Sequence, residues 1–203
     1  NPSFVGGAYT GIAPGVKLIP IRALGTLGSG LSSDVIAALD WIIANKAVHN
    51  IRVVNMSLGT PASQSYKTDP LCLAARRAVN AGIVVVASAG NNGKDINGAK
   101  RYGTINSPGI EPSVITVGAT NTYGTDARSD DTIASYSSKG PTRGWSVAGN
   151  GARVYDNLIK PDLVAPGNKL IAAMSTQSTN AVVPNLVIDY PGLNARQPDY
   201  HLD

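Results

Sequence analysis

From Val16 to Ala87 the sequence alternates short apolar runs with segments of helical spacing. No other feature constrains the fold as much. Val16–Leu24 (VKLIPIRAL) is mostly apolar and reads as a buried strand. Gly25, Gly28 and Gly30 break it. Ser32 or Ser33 can cap a following helix with Asp34 in its first turn, and Val35, Ala38, Leu39 and Ile42 share one face as far as about His49. A short apolar strand, 51–56, and a polar loop, 60–68, come next. A second helix starts near Pro70, with Leu71, Ala74, Ala75 and Ala78 inward and Gly82 as terminator. Residues 83–87 are a nearly pure β-branched strand. Strand, helix, strand, helix, strand with apolar strands implies a parallel sheet covered on both faces. Ligands of such sheets bind beyond the carboxyl ends of the strands. That directs attention to 25–30, 57–61 and 88–93.

The second half is looser. Short strands are predicted at 113–117, 133–136, 163–165 and 170–173, punctuated by Pro108-Gly109, Gly140-Pro141 and Pro166-Gly167. Residues 174–203 read as a long polar loop.

Composition closes off several classes. The 203 residues are 43% hydrophobic and 15% charged, which fits a packed core and neither a disordered chain nor a coiled coil. No apolar run approaches the ~18 residues a membrane helix needs, so no membrane partner is expected. One cysteine, Cys72, cannot build a disulfide framework, and two histidines, His49 and His201, cannot build a histidine-rich metal centre. The net charge of +4 is scattered, which argues against nucleic acid as a partner.

Individual motifs have ordinary explanations. Gly28-Ser29-Gly30-Leu31-Ser32-Ser33 lies between a strand and a helix as a dinucleotide fingerprint would, but Ser33 takes the third glycine position and no carboxylate ends the next strand. Gly144-Trp145-Ser146-Val147-Ala148 approximates a nucleophile elbow without the strand before or the helix after. Asp130-Asp131 reads as a solvated loop pair, His49 as a cation at a helix end, and Cys72 as a small buried hydrophobe. Ser88-Ala89-Gly90-Asn91-Asn92-Gly93 differs. It puts an Asn amide at a strand's carboxyl end, where the amide could donate to a developing oxyanion. Taken alone, a polar turn is the better explanation of the segment.

It does not stand alone. Six blocks occur in one order: 11–16 (GIAPGV), 24–30 (LGTLGSG), 54–59 (VNMSLG), 87–93 (ASAGNNG), 136–141 (YSSKGP) and 160–167 (KPDLVAPG). Together they resemble the central portion of the subtilisin-like serine proteases, the subtilases. The resemblance covers about residues 11–173. It implies a three-layer α/β fold, mainly parallel, with helices on both faces. It also implies hydrolysis of peptide bonds by a Ser-His-Asp mechanism, with Asn91 as oxyanion donor.

By the same resemblance Gly28, Ser29, Gly30, Ser57, Leu58 and Gly59 flank an extended polypeptide substrate and pair with its backbone. Ser57–Gly59 and Ala87, Ser88, Ala89 and Gly90 wall the pocket for the residue before the cut, with Asn106 at its base. The chemistry requires no cofactor. Some subtilases hold calcium or a monovalent ion as a structural cation nearby. The matching positions are Gly109, Glu111 and Val114, with Asp162 close by; the alternative is a loop without an ion in which Asp162 is hydrogen-bonded locally.

The family's aspartate block and His-Gly-Thr-His block would precede Gly11, and its Gly-Thr-Ser-Met-Ala block would follow residue 173; none is present. The expectation is a partial peptidase domain over 1–203, inactive by itself and completed by further segments of its own parent chain. Family habit points to a secreted enzyme. A non-catalytic peptide-binding module that keeps the groove is the competing expectation.

Overall fold

The computed structural model describes residues 11–25, 27–168 and 170. The chain divides into two units, Asn1–Arg22 with Lys169–Asp203, and Ala23–Asn168. In the first unit, residues 13–16 close a turn through Val16 N–H and the Ala13 carbonyl, 3.1 Å apart. Described residues 16–24 pair in no strand, in contrast to the strand expected there. Residues 171–203, including His201 and most of the 170–173 strand, lie outside the described residues.

The unit Ala23–Asn168 carries α1 (Ser32–His49), β1 (Val53–Met56), α2 (Pro70–Asn80), β2 (Val84–Ser88), β3 (Ile115–Asn121), β4 (Thr132–Ile133), β5 (Trp145–Val147), β6 (Arg153–Tyr155) and β7 (Leu163–Pro166). β1, β2, β3 and β7 form a parallel sheet, with β4 antiparallel to the end of β3. The α/β class is the one the alternation implies.

The register explains the burial. Val54, Met56, Val85, Ala87 and Thr116 share one face and are buried. α2 packs on β2, and α1 packs on α2. Val53, Val84, Ile115 and Leu163 point the other way and are exposed. β-Branched runs in a period of two produce this division.

Both helices have identifiable ends. Asp69 caps α2, its Oδ1 accepting from the N–H groups of Leu71 (2.9 Å) and Cys72 (3.0 Å), with Pro70 in the first turn. In α1 the N-cap is Leu31, without a side-chain cap, so Ser32 and Ser33 fall inside the helix and not at its boundary. The helix ends at His49, followed by left-handed Asn50, and His49 stacks on Trp41 at 5.7 Å.

Ser146 lies in the antiparallel β5–β6 ribbon, so it does not occupy a strand-to-helix elbow. Two Arg–aromatic stacks brace that ribbon, Arg143 over Tyr155 (3.7 Å) and Arg153 over Trp145 (4.2 Å). Asp130 accepts from Thr125 and Asp131 pairs with Arg128, both within one loop.

Candidate active site

The carboxyl ends of β1 and β2 lead into the two segments singled out by the sequence, Ser57–Gly59 and Ala87–Asn91. They are parallel neighbours in register, Met56 opposite Ala87. Ser88 Oγ reaches the Leu58 carbonyl at 3.5 Å. Residues 106–107 close the space behind them. Thr60 and Ser107 exchange two backbone hydrogen bonds, at 3.0 and 2.9 Å, and Asn106 N–H donates to the Ala89 carbonyl at 3.0 Å.

Asn106 therefore touches both walls. A Cβ on Gly59 would lie 3.1 Å from the Asn106 Cβ and 2.9 Å from the Ser107 carbonyl oxygen. A Cβ on Gly90 would lie 2.8 Å from Asn106 Nδ2, and Gly90 has φ +105°, a conformation L residues rarely adopt. Both glycines are demanded by this close approach. Ala89 is buried in a cluster with Cys72, Ile105 and Ile110, so the wall stands on the core.

Asn91 sits at the exposed tip of the segment, and its side-chain amide has no partner among the described residues. The backbone around it is fixed. Ser138 Oγ accepts from Asn92 N–H (3.0 Å), Ser138 N–H donates to the Gly90 carbonyl (2.9 Å), and Asn92 Nδ2 donates to Asn106 Oδ1 (3.2 Å). Sequence reasoning assigned Ser138 no role. Its only signal was its place in the 136–141 block.

A second supporting layer also went unread. Ser107 Oγ donates to Asp69 Oδ1 at 3.1 Å, so the carboxylate that caps α2 also holds the segment that carries Asn106. Cys72 is fully buried beside it, as expected of a small hydrophobe, and burial pushes its thiol up to about 12.

Gly28, Ser29 and Gly30 form the turn before α1, with Gly25 N–H donating to the Ser29 carbonyl at 2.9 Å and Gly28 at φ +71°. All three are exposed, and no hydrogen bond joins them to the other two segments.

The four residues expected around a cation are engaged elsewhere. Glu111, 2% exposed, accepts from Arg76 Nε (3.1 Å) and Nη2 (2.6 Å) and from Ser113 Oγ (2.8 Å), and its carboxylate raises the Arg76 pKa. The Gly109 carbonyl accepts from Thr116 Oγ1 at 2.6 Å. The Val114 carbonyl and Asp162 are both occupied by Lys160.

Two neighbouring strand ends, a shared Asn floor and a presented amide can hold an extended chain and stabilise an oxyanion. Comparison with known proteins gives the family: the profile of the subtilase family matches residues 3–190. The chain belongs to the subtilase family.

It is 39% identical over 177 residues to serine protease AprX of Bacillus subtilis (strain 168), covering 85% of this chain and 36% of that protein. It is 38% identical over 175 residues to an extracellular serine proteinase of Thermus sp. (strain Rt41A), covering 86% and 33%. The chain thus spans about a third of each relative's length. Among solved structures, the S41 psychrophilic protease superposes with a TM-score of 0.59 at 27% identity, covering 80% of this chain and 47% of that one. Sphericase gives 0.57, also at 27% identity. The three-layer α/β plan is shared with these subtilisin-like neighbours.

Proposed function

We propose that this subtilase chain supplies the oxyanion donor and the substrate groove of a secreted serine endopeptidase acting on polypeptides. One observation carries the reading: the Asn106 side chain is wedged between Gly59 and Gly90, while Asn91 offers a free amide at the adjoining strand end. In the proposed reaction a serine attacks the scissile carbonyl and a histidine, oriented by an aspartate, takes its proton. Asn91 Nδ2 donates to the oxygen as it becomes negative. Ser57–Gly59 and Gly28–Gly30 run alongside the substrate, so main-chain bonds supply affinity and the pocket supplies choice. The serine, histidine and aspartate belong to family blocks that these 203 residues do not contain, so further segments of a parent chain provide them. Secretion follows the Thermus relative, described as extracellular.

The chain alone is then inactive. Incubated with casein, it should release no peptide and take up no fluorophosphonate, whereas the complete protease does both. Turnover by the chain alone, inhibited by a fluorophosphonate, would contradict the assignment.

A further inference from the structure

Lys160 stands where the family resemblance places a structural ion. Its side chain is only 3% exposed. Nζ donates to the Val114 carbonyl at 2.7 Å and to Asp162 Oδ2 at 2.6 Å. Those are two of the oxygen donors the ion would need. The other two are also taken, Gly109 by Thr116 and Glu111 by Arg76 and Ser113. Calcium asks for six to eight oxygens at about 2.3–2.6 Å. An ammonium already within hydrogen-bond distance of the Val114 and Asp162 oxygens leaves no room for a second cation beside it. The expected residues do not fit an ion.

The links that an ion would supply are present without one. Asp162 Oδ2 also accepts from Thr116 N–H at 2.7 Å, and Asp162 N–H donates to the Thr116 carbonyl at 2.9 Å. Lys160 and Asp162 thereby tie the start of β7 to the start of β3 and to the 109–114 loop. That loop follows directly on Asn106, the floor of the pocket.

We propose that the Lys160 ammonium is the resident cation of this subtilase, built into the chain, and that Gly109, Glu111, Val114 and Asp162 bind neither calcium nor a monovalent ion. The charge balances within the group, the Lys160 ammonium against Asp162 and the Arg76 guanidinium against Glu111. Removing the ammonium leaves the buried Val114 carbonyl without its donor, which is costly, whereas Asp162, 41% exposed, keeps water and the Thr116 N–H.

Thermal melting of the 203-residue chain tests this. The wild type should melt identically in millimolar calcium chloride, in potassium chloride and in chelator with choline chloride. Lys160→Ala should melt roughly 3–8 °C lower in choline chloride, and should acquire a rise with potassium that the wild type lacks. A wild-type rise with calcium that Asp162→Asn abolishes would overturn the proposal, as would a Lys160→Ala variant that melts like wild type throughout. If that variant does not fold, the wild-type and Asp162→Asn melts still decide.

Discussion

Gly90 shows why single residues in this chain are as they are. Its φ of +105° and the Asn106 amide, 2.8 Å from where a Cβ would stand, leave no room for any other residue. The sequence marked Gly90 only through its motif, because a fold-distant neighbour sixteen positions later imposes the constraint. Asn91 was legible as a side chain at a strand's carboxyl end, but its exposure and free amide required the fold. Lys160 was not legible at all: its Val114 acceptor lies 46 residues away, and no pattern in the sequence pairs them. Cys72 was legible, since an apolar helix face dictates its environment. With its pKa raised to about 12 by burial, its thiolate is scarce at pH 8. Native protein mixed with a disulfide reagent should therefore release no chromophore on the timescale at which the denatured chain reacts fully. Rapid native labelling would show that Cys72 is accessible.

At the scale of elements, α2 does more than cover the sheet. Asp69 caps it and at the same time receives the Ser107 hydroxyl behind the pocket. Asp69→Ala loses the cap, about 0.5–2 kcal/mol, and leaves the buried Ser107 hydroxyl with only the weak Cys72 thiol as partner, 3.5 Å away, at a further cost of about 1–2 kcal/mol. Urea unfolding should show a loss of roughly 2–4 kcal/mol with an unchanged m-value. A loss below about 0.5 kcal/mol would mean that the cap and the segment that carries Asn106 are not coupled through Asp69. Sequence reading found α1, α2 and the cores of β1, β2 and β3, because their periodicity and Gly or Pro boundaries are local. It overextended at 16–24, where an apolar run alone cannot guarantee a partner strand. It passed over the β5–β6 ribbon, whose Asn150-Gly151 turn, with Gly151 at φ +79°, was a usable signal.

Across the whole molecule, the charges around the proposed pocket predict substrate choice. Its walls and floor are neutral. The two buried acids near it are both engaged, Asp69 by the Leu71 and Cys72 N–H groups and the Ser107 hydroxyl and Glu111 by Arg76, and Asp95 closes its own turn by accepting from Asn97 and Ala99 N–H. None of these three carboxylates is left to receive a Lys or Arg side chain, whose unpaired burial is unfavourable. The complete protease should prefer large neutral residues before the cut, such as Leu, Phe, Tyr or Met, each worth roughly 1.5–3 kcal/mol when buried. A tetrapeptide library varied at that residue reads this directly, and a preference for Lys or Arg would refute it. Sequence alone established that the pocket segments are uncharged. That the acids near them are already engaged depends on tertiary pairing.

The central claim is that Asn91 donates to the oxyanion. The measurement that tests it most directly is the steady-state kinetics of Asn91→Leu in the complete protease, using one peptide substrate. Leucine keeps the size and removes the donor, and the interaction exists only as negative charge develops. The account predicts a kcat lowered by roughly 10²–10³, the figure known for loss of one oxyanion donor in a subtilisin, with KM nearly unchanged. An unchanged kcat would contradict the account and reduce Asn91 to a turn residue.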